Sequence, residues 1–522
     1  MEAGVLAGLL DEPASGRGRF THILVRDTLL GDLPRVRRDR WHRRVAAAIE
    51  EIAPGDVAAL AHHYGESVTP LTARRAADYA VAAAERAERR YAHDVAAAGY
   101  ERAVAALERQ IGADTVAERV ELLCRAGRSH LADGAGLAAR GARSRAAAAA
   151  EEAGRPDLLV RAFSAWDTPT PWLNRFYGVV EDRVVARLEG ALRFPGLMPA
   201  DRCRLLVTLV DEIGGVAGER AGRAAAEAEA IARELGDDSL LALVLQARAS
   251  LYDTPERGPL GAELIEIGRR NDHGVYLVLG HTISIQAAAF AADLAAAGEH
   301  LEAATVQADR YQWRQAQVAN AMARGLLALA AGDSTAAEQH YLQAAELLNR
   351  AGIINAGGIL AMALFAVRLS QGRAGELVDL IGEFAESAAP ETVDATVDFQ
   401  VLALLATGDR AAAERVRRRA RPVRRDVFRS FFLTLRGMTV AALGTRQEAD
   451  ALYRDLLPYR DRLGGADTGS YVVGPVDTVL GDLAALRGEP GTAAEHYRAA
   501  LRVARRCGNP AWIAAARERL DR

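Results

Sequence analysis

Arginine, histidine and cysteine are the residues through which this chain could do chemistry at a defined spacing, because lysine is missing and all 65 Lys and Arg positions are arginine. A phosphate-binding P-loop needs the lysine of its GK[ST] segment to reach the β- and γ-phosphates, and a Schiff base needs a lysine amine. Both are excluded within these 522 residues. Arginine stays protonated near neutral pH and is a poor general base. His62 and His63 are adjacent, and adjacent positions on a helix point about 100° apart. No further Cys or His stands at ligand spacing, so no metal site is expected, and each is read as a helix-face histidine satisfied by a carboxylate or carbonyl. Cys124, Cys203 and Cys507 are odd in number, far apart and without CxxC spacing, which predicts reduced core thiols in a cytoplasmic protein. No GxSxG, HExxH or strand-linked GxGxxG is present, so neither an enzyme activity nor a cofactor is expected.

Two stretches stand apart in composition. Phe163 to Tyr177 holds Trp166 and Trp172, two of the five tryptophans, together with Pro169, Pro171, Arg175 and Tyr177. The prolines break a helix and stiffen an aromatic loop. On a concave face such a loop grips a peptide or small molecule through Trp166, Trp172, Arg175 and Tyr177; alternatively its rings plug the groove between two helical hairpins. Arg415 to Arg429 is an arginine-rich run. Its forks suit phosphate or an acidic partner, or they stay solvated at a helix C-terminus. The net charge of -4 gives no global attraction to nucleic acid, and no direct nucleic-acid contact is expected. Apolar runs such as Leu205 to Val210 stop well short of the ~18 residues of a membrane span.

What positions these residues is a repeated spacing. From Gly488 a small residue follows at Ala493, an aromatic at Tyr497 and a small-aliphatic pair at Ala500 and Leu501, one stripe of a helix. Gly332 begins the same pattern with Ala337, Tyr341 and Ala344, and Gly444 with Ala449, Tyr453 and Leu457. Each copy has a second glycine seven residues upstream: Gly481, Gly325 and Gly437. The inner glycine lets a neighbour approach within a first helix, the outer one turns the chain back, and the tyrosine is expected to fill the gap between successive hairpins. A single hairpin cannot bury its apolar face, so several must stack. The spacing resembles the tetratricopeptide repeat. Fainter copies start at Gly298, Gly372 and Gly408, and the starts lie about 34 to 44 residues apart, near the period of roughly 34 expected of that repeat. A first repeat between 56 and 110 places Ala96, Tyr100 and Ala103 at the same offsets counted from Tyr91. Degenerate repeats are expected over 56–290 and regular ones over 291–522. The fold class predicted is an all-α superhelix of tetratricopeptide-like hairpins.

Residues 1–52 read differently. A hairpin-like turn from Pro13 to Gly18 leads into Arg19 to His22, followed by helices over Ile23 to Leu30 and Leu33 to Glu51. A wing beside helices suggests the tail of a winged-helix subdomain. Phe20 to Pro34, continuing through Arg40 to Ala46 and Leu60 to Tyr64, is similar to the segment that closes the ATPase module of large actinobacterial STAND-type regulators, including LuxR-type and SARP-type transcription factors. That resemblance implies a winged-helix remnant over 1–52 and a regulatory arm beyond it. It also implies that His22 and Arg26 are vestiges of a nucleotide contact; on residue chemistry alone, His22 ends a strand and Arg26 pairs with Asp27 or Asp32. The P-loop ATPase and DNA-binding domain of that family are not found in the chain. The expected function is a sensor and protein-interaction arm that binds a partner or a peptide or small-molecule effector in a helical groove. It holds a neighbouring or separately encoded ATPase at rest until the effector shifts the population. A stand-alone scaffold that binds a protein partner is the other reading.

Overall fold

Five of the turns use one two-residue device that closes one helix and opens the next. A residue in the left-handed region comes first, Gly236, Ala292, Gly332, Gly408 or Gly508, and an Asp or Asn follows. The side chains of Asp237, Asp293, Asp333, Asp409 and Asn509 each accept a hydrogen bond from a backbone amide two or three residues on. The first residue ends a helix in the manner of a Schellman turn, with Asp333 N–H returning to Ala328 C=O at 2.9 Å. The second is the N-cap of the next helix. Repetition of this device across an alanine-rich sequence produces an all-α chain of consecutive antiparallel hairpins.

The computed structural model describes every residue except 1–6, 8, 12–18, 113, 168, 172–174, 252–256, 352–355 and 388–389. It falls into two compact units, 1–129 and 130–522. In the first, Leu10–Asp11 pairs antiparallel with Arg19–Phe20; the turn expected between them lies outside the described residues. Helices Ile23–Gly31 and Arg35–Ile52 follow, the latter opened by Pro34. The hairpin of Ala73–Glu88 and His93–Leu107 brings the Gly99 backbone against Ala84. Tyr91 occupies the left-handed turn position that glycine holds in other copies, with φ of 58°.

In the second unit the glycine–tyrosine spacing acts inside two of the hairpins. A Cβ on Gly325 would lie 2.4 Å from the Tyr341 ring, and one on Gly481 would lie 2.3 Å from the Tyr497 ring. The ring of the second helix therefore rests on the bare backbone of the first helix of the same hairpin, and not in the gap between hairpins. The Ala337 and Ala493 stripes are buried beside it. The third copy uses its glycine differently. Val479 of Val476–Leu486, two α-helices on, takes the place above Gly437, while Tyr453 turns its hydroxyl to His496 Nε2 at 2.8 Å. Gly444 has no left-handed backbone; Thr445 and Glu448 open the next helix with a reciprocal capping box, and Ala449 is buried behind it. One fainter start is displaced. Gly298 lies inside Leu294–Arg310, and the turn falls at Ala292–Asp293 because that pair carries the cap.

The long interval between Gly444 and Gly488 holds an excursion. Leu463–Gly464 pairs antiparallel with Gly474–Pro475, and the loop between them reaches far along the chain. The buried Arg257 guanidinium donates to Asp467 C=O at 2.8 Å, and the Asn509 amide donates to Leu329 and Ala330 C=O at 3.3 and 3.2 Å. A solenoid whose repeats touch only their neighbours would lack such contacts. Residues 130–522 fold back on themselves.

Candidate functional site

The folding back forms a partly open cavity of about 770 Å³. Its wall comes from alternate helices. Pro199–Ile213, Asp238–Ser250, Gly274–Phe290, Arg314–Ala331 and Ala356–Ser370 contribute Val207, Leu243, Ile283, Ala323 and Phe365. The intervening helices carry most of the charge; Gly218–Leu235, for example, is strongly amphipathic. The inner helix Gly274–Phe290 has no charged residue at all, as a helix covered on all sides requires. Aromatic rings close one side: Phe365 meets Phe399 edge-on with centroids 4.6 Å apart, and Phe431 packs on Tyr471 at 4.7 Å.

Polar side chains, among them Gln246, Gln286 and Thr396, interrupt this lining. The Asn320 side chain lines the cavity, is 2% exposed, and has a partner for neither its Nδ2 nor its Oδ1. Elsewhere on the wall Arg140 donates to both oxygens of Glu212 at 2.9 and 3.1 Å, and Arg143 donates to Oε1 at 2.6 Å. Arg143 is fully enclosed beneath the Trp166 ring, 4.3 Å from its centroid, and these guanidiniums hold Glu212 ionised against burial. Its neighbour Asp211 lacks such a fork. Desolvation first, and the adjacent Glu212 second, push Asp211 up to about 7. Asp211 therefore titrates near neutrality at the cavity wall.

The two sequence outliers meet here. Arg175 donates through Nε to Asp211 C=O at 2.9 Å, and Tyr177 packs edge-on against Phe428 at 5.4 Å. Arg424 reaches back 246 positions to Gly178 C=O at 3.1 Å. Burial, with Asp426 alongside, raises the Tyr177 hydroxyl. Trp166, Arg175 and Tyr177 all line the cavity; Trp172 lies outside the described residues. Several arginines of the 415–429 run bond internally, Arg417 to Glu448 at 2.7 Å and Arg429 to Val423 C=O at 3.2 Å.

The remaining candidates lie elsewhere. His22 caps its helix, Nδ1 accepting from Leu24 N–H at 3.2 Å on an exposed surface. Arg26 is on that helix, with its side chain outside the described residues. The His62–His63 pair has company that spacing did not suggest: His42 comes from the preceding helix, its Nδ1 2.9 Å from His63 Nδ1. Sequence reasoning also missed Asn320 and Asp211. The signal for Asn320 was present: it is a polar residue on an inner helix whose other lining positions, Ala319 and Ala323, are apolar.

No family model matches the chain, and no curated protein matches it. Among solved structures, a "Circular tandem repeat protein with novel repeat topology and enhanced subunit contact surfaces" is similar over 93% of this chain and 94% of that one, at 14% identity and a TM-score of 0.14. Among the described residues no helix is long and apolar enough to cross a membrane.

Proposed function

We propose that this chain is a regulatory sensor arm whose 130–522 unit takes a mainly apolar small-molecule effector into its partly open cavity. The observation that carries this reading is Asn320, a buried amide with both donor and acceptor unused on the mainly apolar wall of a cavity sized for a small molecule. An unmet amide in a packed interior is destabilising by roughly 1–3 kcal/mol, and a ligand presenting an acceptor beside a donor would meet both atoms. Trp166 and Tyr177 are the aromatic contacts and Arg175 braces the loop that carries them. The similarity of Phe20 to Tyr64 to STAND-type regulators supports assigning the arm to that kind of system, with residues 1–52 as a winged-helix remnant. Effector binding would then be read by an ATPase through a difference in affinity between two states of the arm. Neither catalysis nor a direct nucleic-acid contact is part of this reading.

The test is a titration of the whole chain with the amphiphilic fluorophore 1-anilinonaphthalene-8-sulfonate, with tryptophan emission, compared between wild type and Trp166→Phe, as the second readout. Saturable binding near one equivalent, weakened at least tenfold in Ala319→Leu, is expected. No saturable binding, or equal binding by that variant, would overturn the cavity as a site. Calorimetry with ATP and ADP should show no heat; micromolar binding would sink the argument from the missing lysine.

A further inference from the structure

The unit 1–129 holds a cluster that the sequence does not reveal. His42 lies on Arg35–Ile52, and His62 and His63 lie on Val57–Glu66. Ring centroids are 5.6 Å apart for His42 and His62, 5.1 Å for His42 and His63, and 4.9 Å for His62 and His63. One ring nitrogen from each lies within 4.8 Å of the other two. Although adjacent Cα–Cβ bonds on a helix diverge by about 100°, the length of the histidine side chain lets the rings swing back toward a common point.

The frame around the cluster is already built. Tyr64 and Tyr79 both donate to Glu50, at 2.6 and 2.8 Å, and fasten the two helices beside the imidazoles. Ser67 Oγ donates to His63 C=O at 2.9 Å and closes the end of its helix. His42 and His63 are half-buried and His62 is exposed, so one side remains open to an entering ion. Burial, followed by repulsion from His62, lowers both His42 and His63. Glu66 and Asp39 add negative potential at His42.

We propose that His42, His62 and His63 form a three-imidazole site for a zinc-class divalent cation, which clamps the helix of His42 to the helix of His62 and His63 and leaves a fourth position for water or an outside ligand. All-nitrogen donor sets suit Zn²⁺, Ni²⁺ and Cu²⁺ and do not suit Mg²⁺ or Ca²⁺. Tetrahedral ligation at about 2.0–2.1 Å places ligand nitrogens roughly 3.3 Å apart. The 2.9 Å pair opens slightly to reach that spacing, and the exposed His62 closes by a side-chain rotation. A second histidine pair in the chain supplies the contrast. His281 and His300 also face each other through Nδ1 at 2.9 Å, but among the described residues no third donor joins them in a metal-sized group. That pair is a plain imidazole hydrogen bond.

The experiment uses the full chain without a polyhistidine tag, titrated with Co²⁺ as a spectroscopic probe and then with Zn²⁺. The three cysteines are buried and do not compete. One equivalent of Co²⁺ should give the visible d–d bands of a four-coordinate ion, and Zn²⁺ should bleach them. His62→Gln changes an exposed side chain and leaves packing intact; it should weaken binding at least tenfold, as should His42→Gln and His63→Gln, whereas His300→Gln should leave it unchanged. Absence of the bands, unchanged affinity in folded His62→Gln, or loss of binding in His300→Gln instead would overturn the site.

Discussion

One helix, Arg314–Ala331, has two faces that obey opposite rules. On the face toward Ser334–Ala351, Gly325 receives the Tyr341 ring, and the fully buried tyrosine fills the space that a missing side chain leaves. The ring is packed tightly against the bare backbone, and its hydroxyl is sealed in without a hydrogen-bond partner. On the cavity face, five residues earlier, Asn320 offers an amide with no protein partner. A core designed only to fold would place leucine there. The contrast is one of access: the unmet Tyr341 hydroxyl is sealed inside a packed seam, whereas the unmet Asn320 amide lies on the wall of a cavity.

The comparison can be broken most severely at the seam. Gly325→Leu puts a side chain where a Cβ alone would clash with the ring. It should cost more than about 3 kcal/mol of stability, read as a large drop in the thermal midpoint or loss of soluble protein. Tyr341→Ala leaves a cavity and should cost roughly 3–5 kcal/mol in denaturant unfolding. The matched Tyr453→Ala should cost clearly less, because that ring is half-buried and does not cover its glycine; equal losses would mean the seam is not the special element. On the cavity side, Asp211 sharpens the contrast through pH. Its folded value, raised to about 7 from 3.8, means that the folded state keeps a proton which the unfolded state releases. Its stabilising contribution is complete below about pH 4 and is lost as pH rises to 7. Wild-type stability should therefore fall across that window relative to Asp211→Asn, by an amount on the order of a few kcal/mol. The smallest effect is expected at Asn320. Asn320→Leu should leave the melting temperature equal or higher while abolishing fluorophore binding; a stability loss above about 1 kcal/mol would make Asn320 a structural residue.

Much of the architecture was legible because it is local. A left-handed residue followed by an Asx cap, and a glycine paired with a tyrosine sixteen positions on, act over one or two helices. Gly332 and Gly488 are left-handed as their spacing requires. Gly298 misled because a glycine inside a helix and a glycine ending one look alike, and the deciding cap belonged to Asp293. At Gly437 the spacing was intact, but Val479 competed for the same gap.

By itself the sequence determined the all-α class, the hairpin period, the exclusion of lysine chemistry and the unusual character of Phe163 to Tyr177, since each depends on composition or on contacts a few residues apart. Only the tertiary structure decided that this segment would meet Arg424 and Phe428, that Asp467 would meet Arg257, that Asn320 would lie on a cavity wall, and that His42 would join His62 and His63. The physical reason is one of range. Helix periodicity and capping energies repeat with the chain, but folding back depends on how many small rotations between hairpins add up, and no short spacing records that sum.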